Sequence, residues 1–173
     1  RLRLLVLEKA SETVDGDLSI GKLEIQWIPL RVTLEDVKVA PRGGENVVTA
    51  EAVEVAVDLT TVFSDEIHIQ EVALIRPELD IEVQDGEVVN LPGLVEGDGG
   101  GATVIVEAFS VLGGTVHADI LETAPWPVQV DVGNLDVDLT GQNNELFEVR
   151  MRAGSGEVAA GDARVRARRF VIA

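Results

Sequence analysis

From about residue 17 onward, aliphatic side chains recur at every second position in segment after segment. The stretches "DLSIGKLEIQW", "PLRVTLEDVKV", "VVTAEAVEVAVDL", "EIHIQEVAL", "ELDIEV", "TVIVEAFSV", "GTVHADIL", "PVQVDVGNLDVDL", "LFEVRMRA" and "ARVRARRFVI" all carry this period and are rich in β-branched residues. Alternation of this kind is what a strand with one apolar and one polar face requires, because successive side chains point to opposite sides of the sheet. The pattern therefore predicts an all-β chain of about ten strands. Only residues 2 to about 13 read differently: good helix formers without Gly or Pro precede the stop at Asp15-Gly16, which predicts one short N-terminal helix over 1–14.

The alternation is interrupted by a recurring step of three. It occurs in Ile20-x-x-Leu23-x-Ile25-x-Trp27, Val132-x-x-Leu135-x-Val137-x-Leu139 and Ala160-x-x-Ala163-x-Val165-x-Ala167. Looser versions are Leu34-x-x-Val37-x-Val39, Ala50-x-x-Val53-x-Val55-x-Val57 and Ile69-x-x-Val72-x-Leu74. In an uninterrupted strand this step would throw the following apolar residues onto the opposite face, whereas a β-bulge absorbs one residue and keeps them together. The residues inside the steps are mostly polar or Gly, as in Gly21-Lys22, Glu35-Asp36, Gln70-Glu71, Gly133-Asn134 and Gly161-Asp162. Bulges in strand after strand add twist and curvature, so the sheet is expected to curl.

Turn chemistry punctuates the strands. Gln84-Asp85-Gly86-Glu87 offers an Asp-Gly hairpin, Pro41-Arg42-Gly43-Gly44 and Gly113-Gly114 fit tight links, and Pro29, Pro77, Pro125 and Pro127 fit strand starts or edges. Consecutive short hairpins predict an antiparallel meander. The segment "EGDGGGA" at 96–102 is the one linker-like stretch and is expected as a loop inside a single β-domain covering 15–173.

Composition sharpens the picture of the apolar face. Hydrophobic residues make up 46% of the 173 and aromatics only 3%, so any apolar wall is built of Val, Leu, Ile and Ala and is smooth. The net charge of −17 excludes nucleic acid as a partner, since phosphate neutralisation needs clustered Lys and Arg. Against this background residues 150–173 hold six Arg and only Glu157 and Asp162, so the last strand is basic and could serve as a docking edge. There is no cysteine, hence no disulfide, thiol nucleophile or thiolate metal site. No run of 18 apolar residues spans a bilayer, yet the apolar Leu4–Leu7 reads as the end of something longer, and an upstream membrane anchor is expected.

Catalytic chemistry finds no candidate. His68 and His117 alternate with apolar neighbours and so belong to the face opposite the aliphatic one. Asp80 and Glu82, like Asp136 and Asp138, alternate with aliphatic residues as a solvated strand face does. Asp15–Asp17 and Glu96–Gly101 lack the further oxygen ligands of a calcium loop, and the glycines at 99–101 precede a strand, not the helix of a phosphate cradle. No catalytic residue, metal ligand or cofactor site is expected.

The order of four segments over 15–94 resembles the N-terminal part of the AsmA-like superfamily, the TamB-like, bridge-like lipid-transfer proteins of the bacterial envelope. "GDLSIGKLEI" resembles the segment after the family's anchor, "PLRVTLEDVKVAPRGGENVVTAEAVEVAVDL" its next pair of strands, "VFSDEIHIQEVALIRPELDIEV" the strand leading through Pro77, and "DGEVVNLPGL" the turn and Asn-Leu that follow. Residues 103–173 fit the family only generically, through "FSVLGGTVHADI". The resemblance implies an extended sheet curled into a groove, a β-taco, whose aliphatic inner face shelters phospholipid acyl chains in transit between membranes. It also implies a full-length protein anchored to the inner membrane and working in the periplasm. On this reading the acyl chains touch Ile20, Leu23, Ile25, Val32, Leu34, Val37, Val53, Val55, Val57, Ile67, Ile69, Val72, Leu74, Ile81 and Val83. Leu135, Val137 and Leu139 join them only if the groove continues past the Gly-rich loop. The alternative is a closed structural or interaction β-domain supporting outer-membrane protein assembly, docking an envelope protein or a second copy by strand addition at an exposed edge such as 164–169.

Overall fold

A computed structural model of the chain describes residues 17–41, 47–61, 66–84, 87–90, 103–121, 127–142 and 146–172. The N-terminal helix expected over 1–14 and the Gly-rich loop at 96–102 lie outside the described residues. Those described form ten strands and no helix: β1 (Asp17–Trp27), β2 (Leu30–Ala40), β3 (Val48–Val57), β4 (Glu66–Gln84), β5 (Glu87–Val88), β6 (Thr103–Val106), β7 (Ala108–Ile120), β8 (Val128–Gln142), β9 (Leu146–Ala160) and β10 (Ala163–Ile172). All belong to one curled, unclosed sheet of order β1-β2-β3-β4-β7-β8-β9-β10, with the short β5 and β6 both paired to β4.

The expected meander holds on each side of the sheet but not through its middle. β1 to β4 pair antiparallel in sequence order, and so do β7 to β10, whereas β4 pairs parallel with β6 and β7. Antiparallel neighbours can be joined by a tight turn, but a parallel pair needs a return connection, which falls between Asn90 and Thr103. Ile28-Pro29, a cis peptide just before β2, links the Trp27↔Leu30 pair, and Gln84 pairs with Glu87, while the expected Asp85-Gly86 turn and the Arg42-Gly43-Gly44 link lie outside the described residues. Beyond the end of β3, the Asn90 side chain takes over the edge of β4. Its Oδ1 accepts the Glu82 N–H at 2.9 Å and its Nδ2 donates to the Asp80 carbonyl at 2.7 Å.

The segments "EIHIQEVAL" and "ELDIEV" are one strand, and the second half of "TVIVEAFSV" joins "GTVHADIL" in another, its first half being the separate β6. β4 runs unbroken through Arg76-Pro77, and β7 runs through Gly113-Gly114. Pro77 and Gly114 stand side by side between the pairs Ile75↔Leu112 and Glu78↔Thr115, so the two interruptions face each other. That coincidence is general. Gly21 faces Asp36, Asp36 faces Glu51, Glu51 faces Arg76, Arg76 faces Gly113, Asn134 faces Gly154 and Gly154 faces Arg169, each between flanking pairs in unbroken register. Between β7 and β8 the register shifts at Gly114, which closes the row. One irregular position per strand thus forms a single line across all eight strands.

Left-handed backbone produces the line. Asp36 (φ 52°), Arg76 (φ 44°), Gly113 (φ 66°) and Asn134 (φ 51°) place it in β2, β4, β7 and β8. Most of the steps of three read from sequence sit on this line: Ile20 to Leu23, Leu34 to Val37, Ala50 to Val53 and Val132 to Leu135. Two do not. Ile69 to Val72 is a separate bulge, since Val57 pairs with Ile69 but Ala56 with Glu71, leaving Gln70 extra. Ala160 to Ala163 is the β9–β10 hairpin, with Gly161 at φ 57° and Ala160 paired to Ala163, so the bulge expected there is a turn.

Candidate functional site: an apolar trough

Residues directly opposite in a ladder share a face. Following the registers across the sheet gives one row of Ile25, Val32, Val55, Val72, Phe109, Leu139 and Val149, and another of Leu23, Leu34, Val53, Leu74, Val111, Val137 and Met151. Past the irregular line come Ile20, Val37, Ala50, Pro77 and Gly114, then Leu18, Val39, Val48, Leu79, Val116 and Val132. The line keeps the apolar face on one side. A Cβ added at Gly114 would lie 2.9 Å from Val111 Cγ1 and 3.3 Å from Pro77 Cγ, so positions three apart in β7 point the same way.

The crease bends toward that apolar face. Beside the line on the apolar side, Val37, Ala50, Pro77, Gly114 and Ala153 are buried, while on the polar side Gly21, Asp36, Glu51, Arg76, Asn134 and Gly154 are exposed. A sheet folded the other way would reverse those classes. The result is a trough whose floor runs across the strands, not along them. The steps between eight strands at about 4.8 Å each make it roughly 34 Å long.

Nothing among the described residues seals the trough. No side chain reaches complete burial, and the buried apolar residues are mainly small: Ala40, Ala50, Ala56, Ala73 and Ala153, with Leu30, Val37 and Val47. A closed core would bury its Leu and Ile side chains first. Here Leu30 alone of the described Leu and Ile is buried, those on the trough rows stay half-buried, flanked by sheet neighbours but uncovered, and at the margins of the face Trp27 and Val165 emerge to 56% and 69% exposure.

All fifteen residues named from sequence lie on this face. Leu23, Leu34, Val53 and Leu74 form one row, Ile25, Val32, Val55 and Val72 the next, with Ile20 opposite Val37 and Val57 opposite Ile69. Ile67, Ile81 and Val83 continue the face along β4, where Ile81 faces Ala118 and Val83 faces Ile120. Val37 is buried and the others are half-buried. Leu135, Val137 and Leu139 join the same rows from β8. Outside that list the rows also hold Leu18, Val39, Val48, Ala50, Pro77, Leu79, Phe109, Val111, Val116, Val132, Val149 and Met151; in β7 the step from Val111 to Gly114 was the available signal, masked because a glycine holds the apolar position.

The opposite face is polar and tied by exposed ion pairs. Lys22 reaches Glu24 at 2.5 Å and Glu35 at 3.2 Å, Arg31 reaches Glu54 at 2.7 Å, and Arg76 pairs with Glu51 along the crease. One row runs Asp80, His117, Asp131, Glu157, Arg166 through five strands. The Asp131 carboxylate accepts a hydrogen bond from His117 Nδ1 at 2.5 Å and holds the imidazole above its usual pKa, with Asp80 and Glu78 adding to the effect against partial desolvation. His68, on the same polar face, lies 3.4 Å from the Glu107 carboxylate. A depression of about 420 Å³ beside Asp80, Glu82, Asn90, His117 and Asp119 is lined mostly by polar groups. Among the described residues no three His, Asp or Glu side chains converge to hold a metal ion.

No protein-family model matches the chain, and no curated protein is significantly similar to it.

Proposed function

We propose that this chain is a lipid-binding segment of a bacterial envelope bridge-like protein, which shelters phospholipid acyl chains in the trough while headgroups stay in water, for transport between membranes. The observation that carries the proposal is the uninterrupted aliphatic face, concave along one crease and uncovered by any second layer among the described residues. Apolar surface of this extent left to water is unfavourable, and an acyl chain supplies the missing contact. Each buried methylene is worth about 0.8 kcal/mol, so a dozen would hold a lipid by on the order of 10 kcal/mol before ordering costs. The wall carries no directed hydrogen-bonding groups, which favours sliding over capture of one headgroup. The resemblance to the AsmA-like superfamily supports a place in the periplasm and an inner-membrane anchor in the full-length protein.

The test is native mass spectrometry of the gently purified chain, reading phospholipid adducts. Adducts are expected on the unaltered chain and on Ser19→Asp, which changes the polar face, and are expected to vanish with Val55→Asp or Ile69→Asp, since an unpaired carboxylate on the wall is costly. A chain that never carries lipid, or a wall variant that carries it undiminished, sinks the proposal.

A further inference from the structure

We propose that β1 is a self-pairing edge, and that two copies of the chain join antiparallel through it so that their two troughs become one. Apart from the short β5 and β6, which pair only with β4, the strand order among the described residues ends at β1 and β10, and along Leu18–Trp27 and Ala163–Ile172 these two have a strand on one side only.

The crease decides which pairing each edge can accept. An added strand must keep its apolar residues on the trough side both before and after the line, and a slip of one residue puts them on the wrong face. The apolar positions of β1 are Leu18, Ile20, Leu23 and Ile25, with Gly21 and Lys22 between them on the polar side. This spacing reads the same in both directions about its centre. An antiparallel second β1 therefore matches in one register: Ile20 opposite Leu23, Leu18 opposite Ile25, and Gly21 opposite Lys22 of the second copy. Polar positions then also match, Ser19 with Glu24. Two-fold pairing of this type closes on itself and leaves no further edge of the same kind.

Charge allows the pairing at β1 and opposes it at β10. The ammonium of Lys22 is already met by Glu24 and Glu35 of its own copy, so two Lys22 near the dyad are compensated. β10 exposes Arg164, Arg166 and Arg168 along its length, the first two meeting the single carboxylate of Glu157, so a second β10 beside it would bring like charges together. Like charges directly opposite are destabilising, and cationic side chains are a recognised guard of free edges. The two edges are thus unlike: one guarded, one complementary to itself.

The inference concerns the edge and its register and does not depend on the trough holding lipid. A lipid-free dimer would uphold it while sinking the lipid-binding proposal, and a lipid-bearing monomer would do the reverse.

The chain has no cysteine, so single-cysteine variants report contacts without background. Sedimentation velocity across the micromolar range should show the unaltered chain passing from monomer to dimer. With a short bismaleimide, Lys22→Cys should cross-link to itself. Leu18→Cys mixed with Ile25→Cys should cross-link, while Leu18→Cys alone should not. Circular dichroism of each variant confirms that the sheet is intact. A chain that stays monomeric throughout, a folded Lys22→Cys that fails to cross-link, or a Lys22→Cys that cross-links to Arg166→Cys overturns the inference.

Discussion

Asn134 stands directly across from Gly154 with its backbone at φ 51°, and a Cβ on Gly154 would fall 2.9 Å from the Asn134 Cβ. Asp36 stands in the same relation to Gly21, at φ 52° and 2.9 Å. At these two places the left-handed residue brings its Cβ over one neighbouring position, where a second Cβ would collide and a glycine fits. Asn and Asp are the non-glycine residues that tolerate this conformation best. The pairing of a left-handed Asn or Asp with an opposed Gly is therefore one device used twice, at the two flanks of the crease.

Disturbing that device should loosen the fold. Asn134→Val forces a β-branched residue into left-handed backbone and should cost about 1–2 kcal/mol, and Asn134→Gly should fold nearly as well as the unaltered chain. Gly154→Val, which overpacks against Asn134, should cost about 1–3 kcal/mol. Urea midpoints at constant slope measure all three, and an unchanged midpoint for Gly154→Val would contradict the geometry.

The lipid proposal extends to the half of the sheet with the weaker family resemblance. Leu135 faces Gly114 on the trough floor and Val137 faces Val111. Leu135→Asp and Val137→Asp should abolish lipid adducts as completely as Val55→Asp, with the protein still folded by circular dichroism. Retained adducts would confine the lipid to β1 through β4.

Ser110 is nearly buried on the polar side, and its Oγ has no hydrogen-bond partner. Leaving a buried hydroxyl unpaired carries a desolvation cost of about 1–3 kcal/mol, so Ser110→Ala should be neutral or should raise stability by up to about 1 kcal/mol. A clear loss of stability in thermal unfolding would mean that the hydroxyl is paired.

His117 should titrate above the usual 6.5, because Asp131 first, then Asp80 and Glu78, favour its charged form. Glu157 and Arg166 continue the same row from β9 and β10. A folded pKa raised above the unfolded one adds stability that is fully present below about 6.5 and is lost as pH rises through the folded value. Both partners are about half exposed, so the gain should stay under about 1 kcal/mol. NMR titration of the imidazole should show the raised midpoint, and Asp131→Asn should lower it; equal midpoints in the two proteins would remove Asp131 as the cause.

The sequence by itself determined the strands and the chemistry of each face. Alternation at a spacing of two is local, so β1, β3 and β8 were readable from their own residues, as were the aliphatic makeup of the wall and the Gln70 bulge. The fifteen wall residues followed from the same rule. What local spacing could not carry was partnership. Ala160 to Ala163 has the step found at Ile20 to Leu23, but in one place the chain reverses and in the other it continues, because the neighbouring strand decides which. Pro77 and Gly113-Gly114 looked like ends and proved to be points on a shared line, since each is accommodated by the other across the parallel β4–β7 pair. Only the tertiary structure aligned the separate irregularities into one crease, turned the trough to run across the strands and left its floor open. Each of these depends on registers between residues far apart in the chain, which hydrogen bonds and side-chain fit select after the strands have met.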